Sequence, residues 1–164
     1  MMDRESRAGG CPNAGEGPFG ITLIELVVLV AMVGVLAGIG FPAYSDYRNN
    51  ARNARAAADI ISLQFDIRMY SSAHGGDFPA DLGALLRGTI NDPWGRPYQY
   101  FNIAASHGHG SARKDRFLVP LNSDYDLYSM GKDGLSQPPL TAHPSRDDII
   151  RASNGGYVGL ASDF

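Results

Sequence analysis

Apolar residues are distributed very unevenly along this chain. Residues 21–41 (ITLIELVVLVAMVGVLAGIGF) hold 16 apolar positions out of 21 and a single charge, Glu25. As a helix rising about 1.5 Å per residue the run is roughly 31 Å long, close to the hydrocarbon thickness of a bilayer, about 30 Å. It predicts a membrane-spanning helix, and hydropathy alone leaves an ordinary signal anchor open. Past Pro42 the pattern turns polar but keeps a helical period to about Ser72. There Ala54, Ala58, Ile61, Phe65 and Met69 recur at intervals of four, three, four and four. That is one face of an amphipathic helix, and the stripe is expected to be core, packed under a sheet. Gly34, Gly38, Gly40 and Pro42 make residues 34–42 the weakest part of the long helix, by about 1 kcal/mol per glycine relative to alanine and more for the proline. His74-Gly75-Gly76 ends it.

The remaining pattern is short and broken. Residues 78–86 (FPADLGALL) predict a loop and a turn of helix laid on the core, and Asp92-Pro93-Trp94-Gly95 fits a type I turn. Residues 98–101, 117–121 and 126–129 read as strands of a small antiparallel sheet of about three strands, with residues 106–115 as a polar loop between them. Trp94 is expected to anchor its turn to the sheet. The glycine-rich tail, residues 154–164, offers Tyr157 and Val158 for packing and has no assigned role. The fold class is therefore α+β: a long amino-terminal α-helix, half apolar and half amphipathic, on a small antiparallel sheet, with a carboxy-terminal loop.

Composition narrows the function. The chain has 164 residues, 44% apolar and 19% charged, which is one domain's worth of folding sequence. With 14 basic and 17 acidic residues its net charge is -3, so a sequence-independent grip on nucleic acid is not expected. A single cysteine, Cys11, excludes an intramolecular disulfide and a CxxC metal site. No Ser-His-Asp set is fixed and no glycine loop cradles phosphate, so the chain is read as no enzyme. His107, His109 and His143 are read as solvated rather than as metal ligands.

Two details make the apolar run more specific. Glu25 lies four residues inside it, where a carboxylate is expensive in lipid and usually has a functional partner. The preceding 20 residues are polar and end in Gly20, so a cut at the Gly20-Ile21 bond would leave the whole apolar helix on the product. The string Gly20-Ile21-Thr22-Leu23-Ile24-Glu25-Leu26 resembles the class III signal of type IV pilins and pseudopilins. The resemblance implies that a membrane-embedded prepilin peptidase cuts after Gly20 and methylates the new amino terminus at Ile21. It also implies that Glu25 pairs with that ammonium on a neighbouring copy, lowering the cost of both charges in a medium of low dielectric. Residues 1–20 would be the leader, 21–41 the transmembrane and assembly helix, and 42–164 a pilin-like head. In filaments of that family the stretch matching residues 34–42 loses helicity.

The head strings DPWGRPYQY, DLYSMGKDG and DDII are similar to those of the major pseudopilin of type II secretion systems. That family is implied to hold Ca2+ in the carboxy-terminal loop, and the matching groups are the side chains of Asp133, Asp147 and Asp148 with the Met130 carbonyl. On spacing alone the loop reads equally as a solvated acidic segment, with 13 residues between Asp133 and Asp147. The function implied is a self-assembling pseudopilus subunit, anchored in the bacterial inner membrane with its head in the periplasm. Its partners would be copies of itself, other pseudopilins, the prepilin peptidase, and the inner-membrane secretion platform with its ATPase. A type IV pilus subunit and a monomeric membrane-anchored periplasmic binding protein are the rivals.

Overall fold

A computed structural model describes residues 20–85, 88, 90–106 and 110–164. Residues 1–19, with Cys11, and His107 and His109 lie outside the described residues, so of the expected leader 1–20 only Gly20 is described. The first element is α1 (Leu23–Ala73), 51 residues with Pro42 inside it. Thr22 starts it: its hydroxyl accepts the Glu25 amide at 3.3 Å, satisfying one of the donors a helix start leaves free. Gly75 and Gly76, both at positive φ, turn the chain away after Ala73. The chain divides into two compact units, Met1–Pro42 and Ala43–Phe164. In the first unit the apolar side chains of α1 are exposed, with no packing partner among the described residues. Leu23 is 80% exposed, Ile24 72% and Phe41 76%.

In the second unit α1 lies on an antiparallel meander of four strands: β1 (Gln99–Asn102), β2 (Tyr125–Ser129), β3 (Ile149–Ala152) and β4 (Tyr157–Leu160), in that order across the sheet. Tyr100 is opposite Leu127, Tyr128 opposite Ile150, and Arg151 opposite Val158. One face of the sheet meets the helix, where Ala56, Ile60, Leu63 and Ile67 pack with Tyr98, Tyr125, Leu127 and Ile149. The other face is covered too, by Leu121, Leu140 and Ala161 against Ile150 and Ala152. Both faces of β3 are thereby buried, which suits the apolar Ile149, Ile150 and Ala152, while its one charge, Arg151, is met by Asp124.

Buried polar groups tie helix to sheet. The Arg151 guanidinium, 2% exposed, donates to Gln64 Oε1 of α1 and to both carboxylate oxygens of Asp124, and stacks 4.0 Å from the centre of the Tyr125 ring. The Tyr98 hydroxyl donates to Asp59 Oδ2 at 3.0 Å; burial and that carboxylate push the phenol's pKa upward.

Three expectations are corrected. The stripe Ala54, Ala58, Ile61, Phe65 and Met69 is not core: Ile61 is 57% exposed, Phe65 63% and Met69 57%. The core stripe is Ala56, Ile60, Leu63 and Ile67, which has an equally good helical period and lies roughly 170° away around the helix, nearly opposite, at about 100° per residue. Periodicity identifies a helix with two apolar faces; the sheet selects one of them. Residues 117–121 form no strand. Asp115 and Leu118 close a tight turn on each other, Phe117 is 99% exposed, and Pro120 lacks the amide that a ladder needs. The sheet instead gains β3 from the DDII string and β4 from the tail, joined across a turn with Ser153, Asn154 and Gly155 at positive φ. The turn at Asp92 and the short helix after Pro79 (Leu82–Ala84, capped by the Asp81 carboxylate) are found as expected.

Adjacent isoleucines therefore separate the two faces. Ile60→Ala should cost about 2–5 kcal/mol of stability, and Ile61→Ala less than about 1 kcal/mol, in urea unfolding of the detergent-solubilised chain.

Candidate functional site

Two places carry the residues singled out by the sequence. The first is the start of α1. Gly20 and Ile21 are exposed and precede the helix, so the Gly20-Ile21 bond is in accessible chain outside it. Glu25 occupies the first helical turn, where the amide dipoles favour a negative charge. Its carboxylate has no ion-pair or hydrogen-bond partner among the described residues, although Ile24, Leu26, Val28 and Leu29 crowd the same stretch with exposed apolar surface. A lone carboxylate among such neighbours is compatible with water; once the stretch enters lipid it needs a cation.

The second place is the carboxy-terminal loop, and it is built from the turn at Asp92. Asp92 is 5% exposed. Its Oδ1 accepts the amides of Trp94 and Arg96, at 3.0 and 2.9 Å, and its Oδ2 accepts the Ser129 hydroxyl at 2.6 Å. Ser129 Oγ in turn accepts the Gly131 amide. Arg96 reaches from the same turn to donate to the carbonyls of Gly131 and Lys132. The two strings DPWGR and SMGKDG are thus stitched together across some 35 residues of sequence. Two glycines are required by this closeness. Gly131 has φ +59 and a Cβ there would stand 2.0 Å from the Asp147 carbonyl, while at Gly134, φ +73, it would meet the Arg96 guanidinium carbon at 2.4 Å. Trp94 packs its ring against the helix-facing core, as the sequence suggests.

The loop brings some of the expected calcium ligands together and not others. The Met130 carbonyl accepts the Gly134 amide, and the Asp133 carboxylate caps its own turn through the Leu135 amide. Asp147 Oδ2 accepts the Asp133 amide at 2.9 Å. Asp148 is engaged by other groups. It is fully buried and its Oδ2 accepts both the Arg113 guanidinium and the Ser136 hydroxyl at 2.6 Å. Burial pushes its carboxyl up to about 6, against the pull of Arg113 and Ser136. Among the described residues no three His, Cys, Asp or Glu side chains gather as a metal centre. Asp148, taken up by Arg113 and Ser136, is therefore not available to share a cation with Asp133 and Asp147, and the expected set of three carboxylates does not fit one Ca2+ ion.

Sequence reasoning missed Arg96, Arg113, Ser129 and Ser136. Arg96 was visible inside the DPWGRP string as a cation directly after a turn. Arg113 and Ser136 carry no local signal, since their common partner Asp148 is 35 and 12 residues away.

No family model and no solved structure matches the chain. Three curated proteins are similar to it along most of their length, each a type II secretion system core protein G. That of Pectobacterium carotovorum subsp. carotovorum is 26% identical over 159 residues, covering 82% of this chain and 90% of the relative. That of Klebsiella pneumoniae is 24% identical and covers 79% and 91%. That of Dickeya chrysanthemi is 27% identical and covers 84% and 87%.

The stitched turn makes Asp92 a stability determinant. Asp92→Ala strands two amides and a buried hydroxyl and should cost about 3 kcal/mol or more, while Lys132→Ala, on the exposed side of the same loop, should stay within about 0.5 kcal/mol in urea unfolding.

Proposed function

We infer that this chain is a pseudopilus subunit of a type II secretion system, of the kind represented by core protein G. It is a structural subunit and not an enzyme, and it works in association with other components of the secretion system. The observation that carries the reading is the amino-terminal helix. It is long and apolar enough to cross a membrane, keeps its apolar side chains exposed, and holds one unpaired carboxylate in its first turn.

The finer mechanism follows from those residues. A prepilin peptidase cuts after Gly20, leaving Ile21 as the amino terminus, which it methylates. The helix holds the subunit in the inner membrane with its head in the periplasm. Copies then leave the bilayer by packing their apolar helices together, which exchanges lipid contact for protein contact and lets the chain build a filament. Glu25 pairs with the Ile21 ammonium of a neighbour, and because the partners are four residues apart in each copy, the pairing fixes the axial stagger. The exposed face of Ile61, Phe65 and Met69 extends the same demand for a second copy into the head part of α1, since it has the composition of a buried face and lies away from the sheet. Work for assembly comes from the ATPase of the inner-membrane platform, as no nucleotide motif is present in the sequence.

Glu25→Ala should abolish filaments in cells overproducing the chain, scored by electron microscopy of sheared material, while the protein still accumulates in membranes. Replacing Ile61, Phe65 and Met69 together by Ser should lower filament yield at least about tenfold and shift Tm by less than about 3 °C, because exposed positions carry little of the fold's stability. Normal filaments from either variant would contradict the assembly scheme.

A further inference from the structure

Asp148 is the most completely buried carboxylate of the carboxy-terminal loop, and its charge is met from inside the protein. Arg113, 3% exposed, sends its guanidinium to Asp148 Oδ2 at 2.6 Å and to the Ser136 hydroxyl, which itself donates to the same oxygen. The guanidinium lies 4.3 Å from the centre of the Tyr128 ring, so an aromatic face closes its other side. The backbone around it is fixed as well. The Arg113 amide donates to Asp126 Oδ2 at 2.6 Å, the Lys114 amide to the Pro138 carbonyl, and the Leu140 amide to the Lys114 carbonyl. Residues 113–114 thereby run alongside the proline-rich stretch of the loop, and the loop's length is what lets it reach them.

We propose that Arg113 is the resident cation of this loop, and that the loop closes on it without a calcium ion. A guanidinium suits the position. It cannot lose its proton, presents donors in a fork, and stacks on an aromatic ring. It supplies a positive charge to the fully buried Asp148, whereas Asp133 is exposed and the half-buried Asp147 accepts the Asp133 amide. The pairing is directional: Arg113 Nε and Asp148 Oδ1 are buried without partners among the described residues, so the contact runs through single atoms. Removing one member leaves a buried charge unopposed, and removing both does not. The inference concerns the head alone and stands whether or not the chain assembles into a filament.

The test uses the full-length chain in detergent micelles, melted in EDTA and in millimolar CaCl2. The wild type should melt within about 1 °C in the two buffers, because a structural ion present at 100 times its Kd would raise Tm by roughly 5–10 °C for a chain of this size. A saturable rise of that size with CaCl2, lost in Asp147→Asn, overturns the proposal. Arg113→Met should lower Tm by roughly 6 °C or more or prevent folding, and Arg113→Met with Asp148→Leu should recover most of the loss, since apolar groups then replace the whole pair. A double variant as unstable as the single one also overturns it.

Discussion

The apolar half of α1 has no partner among the described residues of its own chain, and that is the constraint on which the rest depends. Sixteen apolar residues in a run of 21 cannot remain in water. The residues of α1 that are buried all lie in the stretch from Ala56 to Ile67. The helix must therefore be solvated by lipid or by other copies of itself. Either medium has low dielectric, and in either one Glu25 requires a positive charge that the described part of the chain does not offer. The proposed assembly rests on these two demands, the exposed apolar surface and the Glu25 carboxylate, which packing against trimmed copies of the same helix would meet together.

The head answers a different constraint. A sheet of four strands, none longer than five residues, buries too little on its own, so buried polar groups complete it. Arg151 ties Gln64 of the helix to Asp124 at the start of β2, Asp92 and Arg96 hold the loop after β2, and Arg113 holds the loop before β3. Each is a polar side chain with at least one hydrogen bond to a segment far away in sequence. These groups contribute position more than net energy: a buried ion pair roughly breaks even against apolar side chains, yet losing one member is costly. A head held this way keeps its loops fixed without a disulfide, consistent with a chain whose sole cysteine is Cys11.

What could be read from sequence follows the range of the interactions. The long helix, its end at His74, the turn at Asp92 and the α+β class were legible because each depends on residues within a few positions of one another. The curated relatives bear out the family resemblance drawn from the GITLIEL and DPWGRPYQY strings. The core face of the helix was not legible, since Ile60 and Ile61 belong to two stripes of equal period and only contact with β2 and β3 distinguishes them. Strands β3 and β4 were hidden by their shortness and by glycine in the tail, and residues 117–121 mimicked a strand by apolar content alone. At the loop, the acidic residues were visible and the arginine that meets one of them was not, because 35 residues separate Arg113 from Asp148.

The central claim is that the chain assembles as a trimmed product whose new amine at Ile21 meets Glu25 of another copy. Intact-mass spectrometry of the multimeric fraction recovered from its native membrane tests it most directly. The account predicts a species beginning at Ile21, heavier by one methyl group and free of residues 1–20. Multimers built from chains that still carry those residues would contradict it.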